Sequence, residues 1–311
     1  MNETLARDFV VGTRGSQLAM RQTELVLRPL RNAYPEVHFA VRTIRTVADR
    51  HPDRPLRQLP DVGFFVKELE LALLAAEIDA VVHSMKDLPS APTPGLTIAA
   101  VAEREDARDV IVSREHLTLE ALPLGARLGT SSPRRAAFLR AYRRDLEIVP
   151  IRGNVETRIQ KVDAGDVDAV CLAGAGLCRL GLESRITQWL PVDILPPAPA
   201  QGALGLQVRT RDRRAAHIAA AADHAPTRHA VAAERAVLTR LAGGCHLPVA
   251  AFARIEGTQV SLEAAIAAPD GRRIETAAGK GLITDAEGLG RLLAEDLLGR
   301  ASDLILEAQE R

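Results

Sequence analysis

The sequence predicts an α/β protein with two α/β domains and a smaller α+β part near its C-terminal end. From Phe9 onward, short apolar or β-branched segments alternate with stretches of helical periodicity, which is typical of a mostly parallel sheet. The charged segment Glu103–Arg108 interrupts this alternation, which then begins again. After about residue 222 the pattern changes to closely spaced strands joined by tight turns. These observations predict three domains.

The first predicted domain covers residues 1–103 and 201–221. Its strands are Phe9–Gly12, Val37–Val47, Ala80–His83 and Leu96–Val101, and its helices are Ser16–Ala33 and Phe65–Ala76. Ala48–Gly63 carries three prolines and several charges without a period, and loops of this length are usually functional or disordered. The later segment Ala203–Val208 has no helix of its own, so we expect this strand to return to the first sheet.

The second predicted domain covers residues 104–200. Its strands are Val110–Val112, Arg127–Gly129, Leu146–Pro150 and Ala169–Leu172, and its helices are Pro133–Arg143 and Val155–Ala164. The proline-rich segment Pro191–Pro199 then leads to the return strand.

The third predicted domain covers residues 222–311. A helix, Thr227–Leu241, precedes the strands Ala250–Ile255, Gln259–Ala267 and Arg273–Ala278. The tight turns between these strands predict a three-stranded antiparallel meander. Thr284 and Glu287 have capping-box spacing, which predicts a closing helix to about Arg300.

Composition excludes several classes of protein. With 311 residues, 40 basic and 40 acidic side chains and 47% hydrophobic residues, the chain is typical of globular proteins. No apolar run reaches the roughly 18 residues needed to span a bilayer, and the first residues are polar, so we expect a cytoplasmic protein without membrane contact. Aromatic residues at 3% and balanced charges make nucleic acid a poor partner. No cysteine pair has the spacing of zinc ligands, so no metal is expected.

The basic residues are mostly arginine, because only four of the 40 are lysine. Guanidinium groups bind carboxylates and phosphates through paired hydrogen bonds and stay charged, so they suit anion binding better than proton transfer. A compositional preference for arginine explains the total equally well. The positions of particular arginines therefore matter more than their number.

Two segments at predicted strand ends in the first domain could carry chemistry, since ligands bind at such ends in open α/β sheets. In Gly12–Ser16, backbone N–H groups, Arg14 and Ser16 could bind an anion, although a plain turn with a serine N-cap is the alternative. In Val82–Pro89, Asp87 beside Lys86 could move a proton or stabilise a developing cation. A surface ion pair is the alternative there.

Two further segments lie at strand ends in the second domain. Ser132 and Pro133 define a helix start with Arg134 and Arg135 in its first turn, where the helix dipole disfavours positive charge. This placement predicts a compensating anionic ligand. Around Asn154, a predicted N-cap, Arg152 and Arg158 flank another helix start. With Arg14, these arginines would suit a polycarboxylate in one cleft.

Cys245 lies after two glycines in the segment Leu241–Pro248, which interrupts the predicted elements. A thiol beside His246 could serve as a nucleophile or as an attachment point. An incidental loop cysteine is the alternative.

Taken together, these segments resemble the porphobilinogen deaminase family. The matching stretches run in the family's order from Gly12 to Val249: GTRGSQLA, FVKELE, VHSMKDLP, EREDARD, GTSSPRR, IRGNVETR, LAGAGLCRLGLESRI, PAPAQGALG and ERAVLTRLAGGCHLPV. The resemblance implies a fold of two type II periplasmic-binding-protein-like α/β domains with a cleft between them, plus a smaller α+β domain that carries the cofactor cysteine.

The resemblance also implies a reaction. Cys245 would carry a dipyrromethane cofactor through a thioether, and four porphobilinogen molecules would be condensed head to tail on this primer with loss of ammonia. Water would then release linear hydroxymethylbilane, which would pass to uroporphyrinogen-III synthase. The enzyme would act as a monomeric transferase of heme biosynthesis.

Site residues follow from the matching motifs. Asp87 would contact the pyrrole N–H groups and stabilise positive charge as ammonia leaves and an azafulvene forms. The residues expected to bind cofactor and substrate are Arg14, Ser16, Gln22, Phe65, Ser84, Lys86, Thr130, Ser131, Ser132, Arg134, Arg135, Arg152, Asn154, Arg158, Arg179 and Gln201.

One stretch departs from the family's pattern. Before FVKELE the family usually has a lysine-bearing GGKGLF loop, but no lysine lies between Ala48 and Val66 here. Arg50, Arg54 or Arg57 could act in its place when the loop closes.

Two other functions compete with this assignment. A receptor for a small anion could have the same paired domains and arginines, but it would not need Cys245 or Asp87. A cysteine hydrolase could use Cys245 with His246, but adjacent residues rarely form a productive pair and no third group is evident.

Overall fold

The structure is a computed structural model that describes residues 8–45, 66–241 and 248–309. The expected lid Ala48–Gly63, Phe65 and Cys245 lie outside the described residues. The strands are β1 Phe9–Thr13, β2 Phe39–Thr43, β3 Ala80–Ser84, β4 Leu96–Val101, β5 Asp109–Ser113, β6 Arg127–Gly129, β7 Glu147–Val149, β8 Ala169–Ala173, β9 Gln188–Trp189, β10 Leu204–Arg209, β11 Val249–Glu256, β12 Gln259–Ala267 and β13 Ile274–Leu282. The α-helices are α1 Gln17–Ala33, α2 Lys67–Leu74, α3 Pro133–Tyr142, α4 Val155–Asp163, α5 Gly174–Leu180, α6 Arg213–Ala219, α7 Ala225–Leu241 and α8 Ala286–Gln309.

The first sheet has the strand order β2-β1-β3-β10-β4. β1 runs parallel to β2 and β3, whereas β10 runs antiparallel to β3 and β4. Apolar clusters cover both faces, one including Leu27 of α1 and the other including Leu69 of α2. The prediction that the segment after the proline-rich crossing returns to the first sheet is confirmed.

The second sheet repeats this topology in the order β7-β6-β8-β5-β9. β6 is parallel to β7 and β8, and β5 is antiparallel to β8 and β9. In the spatial order of both sheets, the first three strands are therefore parallel, and the fourth runs antiparallel to both of its neighbours. Two five-stranded α/β sheets of the same topology and a C-terminal part with its own three-stranded sheet agree with the predicted α/β class with a smaller α+β part.

The third sheet is the predicted antiparallel meander, β11-β12-β13. One apolar cluster joins it to α7 and α8 through residues such as Val237 and Leu293. Ala250 and Ala265 belong instead to the cluster of the second sheet, together with Phe138 of α3. The meander is therefore packed between its own helices and the second α/β sheet.

The described residues divide into two compact units. One unit extends to Arg104 and includes Ala203–Arg228, while the other includes Glu105–Gly202 and the described residues from His229 onward. The three-domain division stays a prediction. Within the described part of the chain, no helix is both long enough and apolar enough to cross a membrane.

The C-terminal helix differs from its predicted start. Thr284 lies in a 3-10 turn, Ile283–Asp285, and α8 begins only at Ala286. Glu287 is therefore in the first turn of the helix and not three residues inside a cap at Thr284. The helical segment also continues past Arg300, with a kink at Ala301. The sequence pattern missed two short elements, α6 and β9.

Candidate active site

The first unit brings together the ends of two adjacent parallel strands. Arg14 and Ser16 follow β1, and Ser84 is the last residue of β3, which pairs with β1. A 3-10 turn, Met85–Asp87, follows β3 directly, and the Asp87 side chain is exposed while Met85 is buried. The sheet therefore places these predicted residues at one edge.

Ser16 has the local role that the plain-turn alternative predicts. Its hydroxyl oxygen accepts a hydrogen bond from the backbone N–H of Ala19 at 3.2 Å and so caps α1. Gln22 lies half-buried in the second turn of the same helix. Anion binding by these two side chains stays a prediction.

A buried polar network lies behind the turn that carries Asp87. Nε2 of His83 is 2.9 Å from Oε1 of Gln207, and Nε2 of Gln207 donates to Oε1 of Glu70 at 2.8 Å. Thr93 donates to the other oxygen of Glu70 at 2.7 Å. Burial lowers the pKa of His83 to about 4, against the smaller opposing effect of its hydrogen bond to Gln207. The imidazole is therefore neutral at physiological pH.

In the second unit, the parallel strands β7, β6 and β8 end at one sheet edge. Ser131 joins the loop after β6 to the loop after β7. Its hydroxyl donates to the carbonyl of Ile151 at 2.7 Å and accepts from the N–H of Ile151 at 3.0 Å. Thr130 is buried, and its hydroxyl oxygen accepts from the N–H of Ser132 at 3.2 Å. These hydroxyls hold the helix starts in place.

Both helix starts have the predicted caps. The hydroxyl of Ser132 accepts from the backbone N–H of Arg135 at 3.4 Å, and Oδ1 of Asn154 accepts from that of Thr157 at 2.8 Å. Pro133 occupies the first turn of α3, as predicted.

The carboxylate of Asp109 compensates the positive charges of the two arginines in the first turn of α3. Oδ2 of Asp109 lies 2.6 Å from Nη2 of Arg134, and Oδ1 lies 2.7 Å from Nη2 of Arg135. All three side chains are buried. The unfavourable placement of two arginines near a helix N-terminus predicted a compensating anionic ligand, but a carboxylate of the protein itself compensates their charge in the structure. Ligand binding by the two arginines stays a prediction.

Arg152 and Arg158 form a second pair beside Arg135. Nε of Arg158 donates to the carbonyl of Gly153 at 2.8 Å. Burial, together with the charges of Arg135 and Arg152, lowers the pKa of Arg158 to about 10. Among the residues that the structure describes, the buried Nη1 of Arg152 has no hydrogen-bond partner. Within this part of the chain, the guanidinium groups therefore lack an acceptor.

Arg179 and Gln201 lie elsewhere in the same unit. Nη2 of Arg179 donates to the carbonyl of Gly202 at 2.5 Å, while its buried Nε has no hydrogen-bond partner among the described residues. Burial lowers the pKa of Arg179 to about 10, partly offset by the charge of Glu105. Gln201 is buried, and its amide donates to Oδ1 of Asp109 at 3.0 Å.

Sequence reasoning missed Asp109, Gln207 and Glu70. Asp109 ends the motif EREDARD, and the misplaced arginine pair was a signal that a buried acid had to lie nearby. Gln207 and Glu70 carried no comparable signal. Among the residues that the structure describes, no group of three or more His, Cys, Asp or Glu side chains could hold a metal ion.

The matching family models and the curated relatives agree on one family. A family model described as "Porphobilinogen deaminase, dipyromethane cofactor binding domain" matches residues 9–217, and "Porphobilinogen deaminase, C-terminal domain" matches residues 229–299. Curated relatives named porphobilinogen deaminase include that of Desulforudis audaxviator, which is 49% identical over 97% of this chain and 98% of the relative. Those of Pelobacter propionicus, at 47% identity over 97% of each chain, and of Roseiflexus sp., at 45% identity over 97% of this chain and 99% of the relative, are similar.

Proposed function

The chain belongs to the porphobilinogen deaminase family, and from this premise we propose which of its residues carry the reaction. The activity is that of a hydroxymethylbilane synthase, a transferase of tetrapyrrole and heme biosynthesis that uses a dipyrromethane cofactor. It condenses four porphobilinogen molecules, and water then releases the linear product. Family membership removes the receptor and the cysteine hydrolase as competing functions.

The arginines of the second unit fit a ligand that carries several carboxylates. The observation that supports this fit is the buried Nη1 of Arg152, which has no hydrogen-bond partner in the described part of the chain, beside Arg158 with its lowered pKa. A carboxylate would supply both the missing acceptor and the missing negative charge. Each pyrrole unit brings an acetate and a propionate, so Arg152 and Arg158 would bind acidic groups of cofactor or substrate.

Cys245 is proposed as the attachment point of the dipyrromethane. Bound there, the cofactor supplies a primer whose free end accepts the next pyrrole unit. The two glycines before Cys245 in the sequence support the proposal, since they give its segment a wide range of backbone conformations. Arg134 and Arg135 would then orient the acidic side chains of this primer.

Asp87 is proposed as the catalytic carboxylate. The 3-10 turn and Pro89 fix its backbone, and its side chain is exposed where the parallel strand β3 ends. The carboxylate would accept hydrogen bonds from pyrrole N–H groups. Its negative charge would stabilise the positive charge that develops on the substrate as ammonia leaves.

The remaining predicted site residues are proposed as supporting groups. In this role they would bind acidic side chains or fix the loops that do so: Arg14, Ser16, Gln22, Phe65, Ser84, Lys86, Thr130, Ser131, Ser132, Asn154, Arg179 and Gln201. We also propose that the chain has three domains, acts as a cytoplasmic monomer and passes its product to uroporphyrinogen-III synthase.

Intact-protein mass tests the cofactor assignment. The chain and the variants Cys245→Ser and Cys178→Ser would each be incubated with porphobilinogen and weighed after removal of free substrate. We expect a dipyrromethane adduct on the unmodified sequence and on Cys178→Ser, which is a half-buried cysteine outside the proposed attachment point. An adduct that persists in Cys245→Ser, or its absence from all three proteins, would contradict the assignment.

A further inference from the structure

Asp109 is the acidic partner of two arginines that the proposed function places near the cofactor. It is the first residue of β5 and has no exposed surface. Besides its contact with Nη2 of Arg134, it accepts from both Nε and Nη2 of Arg135, at 3.0 and 2.7 Å. One buried carboxylate thus bridges two consecutive guanidinium groups.

Each guanidinium group also donates to one backbone carbonyl, while Nε of Arg134 is buried with no hydrogen-bond partner among the described residues. Nη1 of Arg134 donates to the carbonyl of Pro196 at 2.5 Å, and Nη1 of Arg135 donates to that of Cys171 at 3.2 Å. Because these acceptors lie on separate segments of the chain, they fix the planes of the two groups as well as their positions. The carboxylate of Asp109 is the charged member of this set.

Gln201 holds the carboxylate itself in place. Its Nε2 donates to Oδ1 of Asp109 at 3.0 Å and to the carbonyl of Ala107 at 2.7 Å. The orientation of Asp109 is therefore set from the loop that precedes β10 as well as by the two arginines.

We propose that Asp109 is a positioning residue, which holds the guanidinium groups of Arg134 and Arg135 in the orientation that receives ligand carboxylates. The inference rests on the proposed function and deepens it. Four arginines lie in this part of the unit, and the charges of Arg135 and Arg152 already act on Arg158. Without Asp109, two adjacent buried guanidinium groups would repel each other and lose their shared acceptor.

Replacement of Asp109 with chemical rescue tests this role. Asp109→Ala removes the carboxylate, Asp109→Asn removes its charge with little change of volume, and Asp145→Ala removes the acid of the Arg143–Asp145 pair outside the cluster. Each apoprotein would be incubated with porphobilinogen, followed by intact mass for cofactor content, steady-state kinetics and thermal unfolding. Sodium formate, with sodium chloride at equal ionic strength as the control, would be added to each.

We expect both Asp109 variants to take up cofactor slowly and to show a KM raised by about tenfold or more, as for truncation of one partner of a buried charge pair. Formate should restore cofactor uptake and KM in Asp109→Ala, because a small carboxylate can occupy the vacated space, and chloride should not. Asp145→Ala should match the unmodified sequence in every measurement.

Three results would overturn the inference. Folded Asp109 variants could load cofactor and turn over substrate normally, or formate could restore the unfolding temperature without restoring KM. Variants that fail to fold even in formate would assign Asp109 to folding alone. Failure of the unmodified sequence to take up cofactor would instead contradict the proposed function, and the inference with it.

Discussion

Nε2 of His83 lies 2.9 Å from Oε1 of Gln207, across the antiparallel pair β3 and β10. The amide nitrogen of Gln207 donates to Glu70, so its oxygen faces the imidazole and Nε2 of His83 must carry the proton. These hydrogen bonds connect α2 and β10 to β3, the strand that leads to Asp87. A protonated imidazole here would be buried away from bulk solvent, which explains why burial lowers its pKa to about 4.

Stability should therefore depend on pH through His83. Because its pKa is about 4 in the folded chain and about 6.5 when unfolded, the unfolded chain binds more protons between these values. The stabilisation is fully present above pH 6.5 and is lost as pH falls through 4, by about 3 kcal/mol in total. His83→Gln keeps a donor near Nε2 and should reduce this loss, measured by urea unfolding at pH 7 and pH 4.5.

The matched control is His217→Gln, which changes an exposed histidine of the same unit. Its stability should fall between the two pH values as that of the unmodified sequence does. Equal losses in His83→Gln and the unmodified sequence would show that His83 does not carry the effect.

The sequence predicted the fold well because its signals are local. Alternation of strands and helices and the turns of the meander each lie within a short window, and both correspond to elements of the structure. The strand at Ala203–Val208 does return to the first sheet, but the expectation that it has no helix of its own was wrong, because α6 follows it. The predicted start of α8 at Thr284 was wrong, because residue spacing alone cannot distinguish a capping box from a 3-10 turn. The glycine-bearing segment that holds Cys245 lies outside the described residues.

The site was less predictable because its contacts join distant positions. Gln207 lies 124 residues from His83, and Asp109 lies 26 residues from Arg135. The N-cap roles of Ser132 and Asn154 could be predicted from the sequence, because an N-cap side chain contacts the backbone only three residues later. The charges of Arg134 and Arg135 are compensated by an acid on β5. Its identity depends on how β5 pairs in the sheet, and this pairing cannot be predicted from residue spacing.

Gly205 should be needed for the turn that carries Asp87. A Cβ atom at Gly205 would lie 2.2 Å from Sδ of Met85, the buried first residue of that turn. Gly205→Ala should therefore displace Met85, lower the free energy of unfolding by about 1–3 kcal/mol and reduce kcat without loss of cofactor. Gly281→Ala is the control, because its Cβ would meet Leu289 at an ordinary 3.8 Å. Unchanged kcat in Gly205→Ala would contradict this coupling.

Asp87→Ala should strongly reduce turnover without affecting the fold. The side chain is exposed, so the free energy of unfolding should change by less than about 0.5 kcal/mol. Loss of a group that stabilises developing charge should lower kcat by about 100-fold or more, with unchanged cofactor content. Asp8→Ala, which removes another exposed carboxylate of the same unit, should leave kcat unchanged. Near-normal product formation by Asp87→Ala would assign Asp87 a structural role.

Arg152 should strengthen ligand binding and at the same time lower the stability of the apoprotein. Among the described residues its buried Nη1 has no hydrogen-bond partner, and its charge lowers the pKa of Arg158, so the apoprotein holds two cations that disfavour each other. Arg152→Met removes one of these cations and keeps most of the side-chain volume. We expect the free energy of unfolding of the apoprotein to rise by about 1 kcal/mol, and the KM for porphobilinogen to rise by about tenfold or more.

The matched control is Arg185→Met, because Arg185 already pairs with Asp163 at 2.6 Å in the same unit. This change should leave KM unaltered and change stability by no more than about 0.5 kcal/mol, as for other surface ion pairs. Opposite shifts in stability and binding distinguish a residue kept for its ligand from one kept for the fold. If Arg152→Met lowered both stability and affinity, Arg152 would be a structural residue, and the buried Nη1 would not indicate a missing carboxylate.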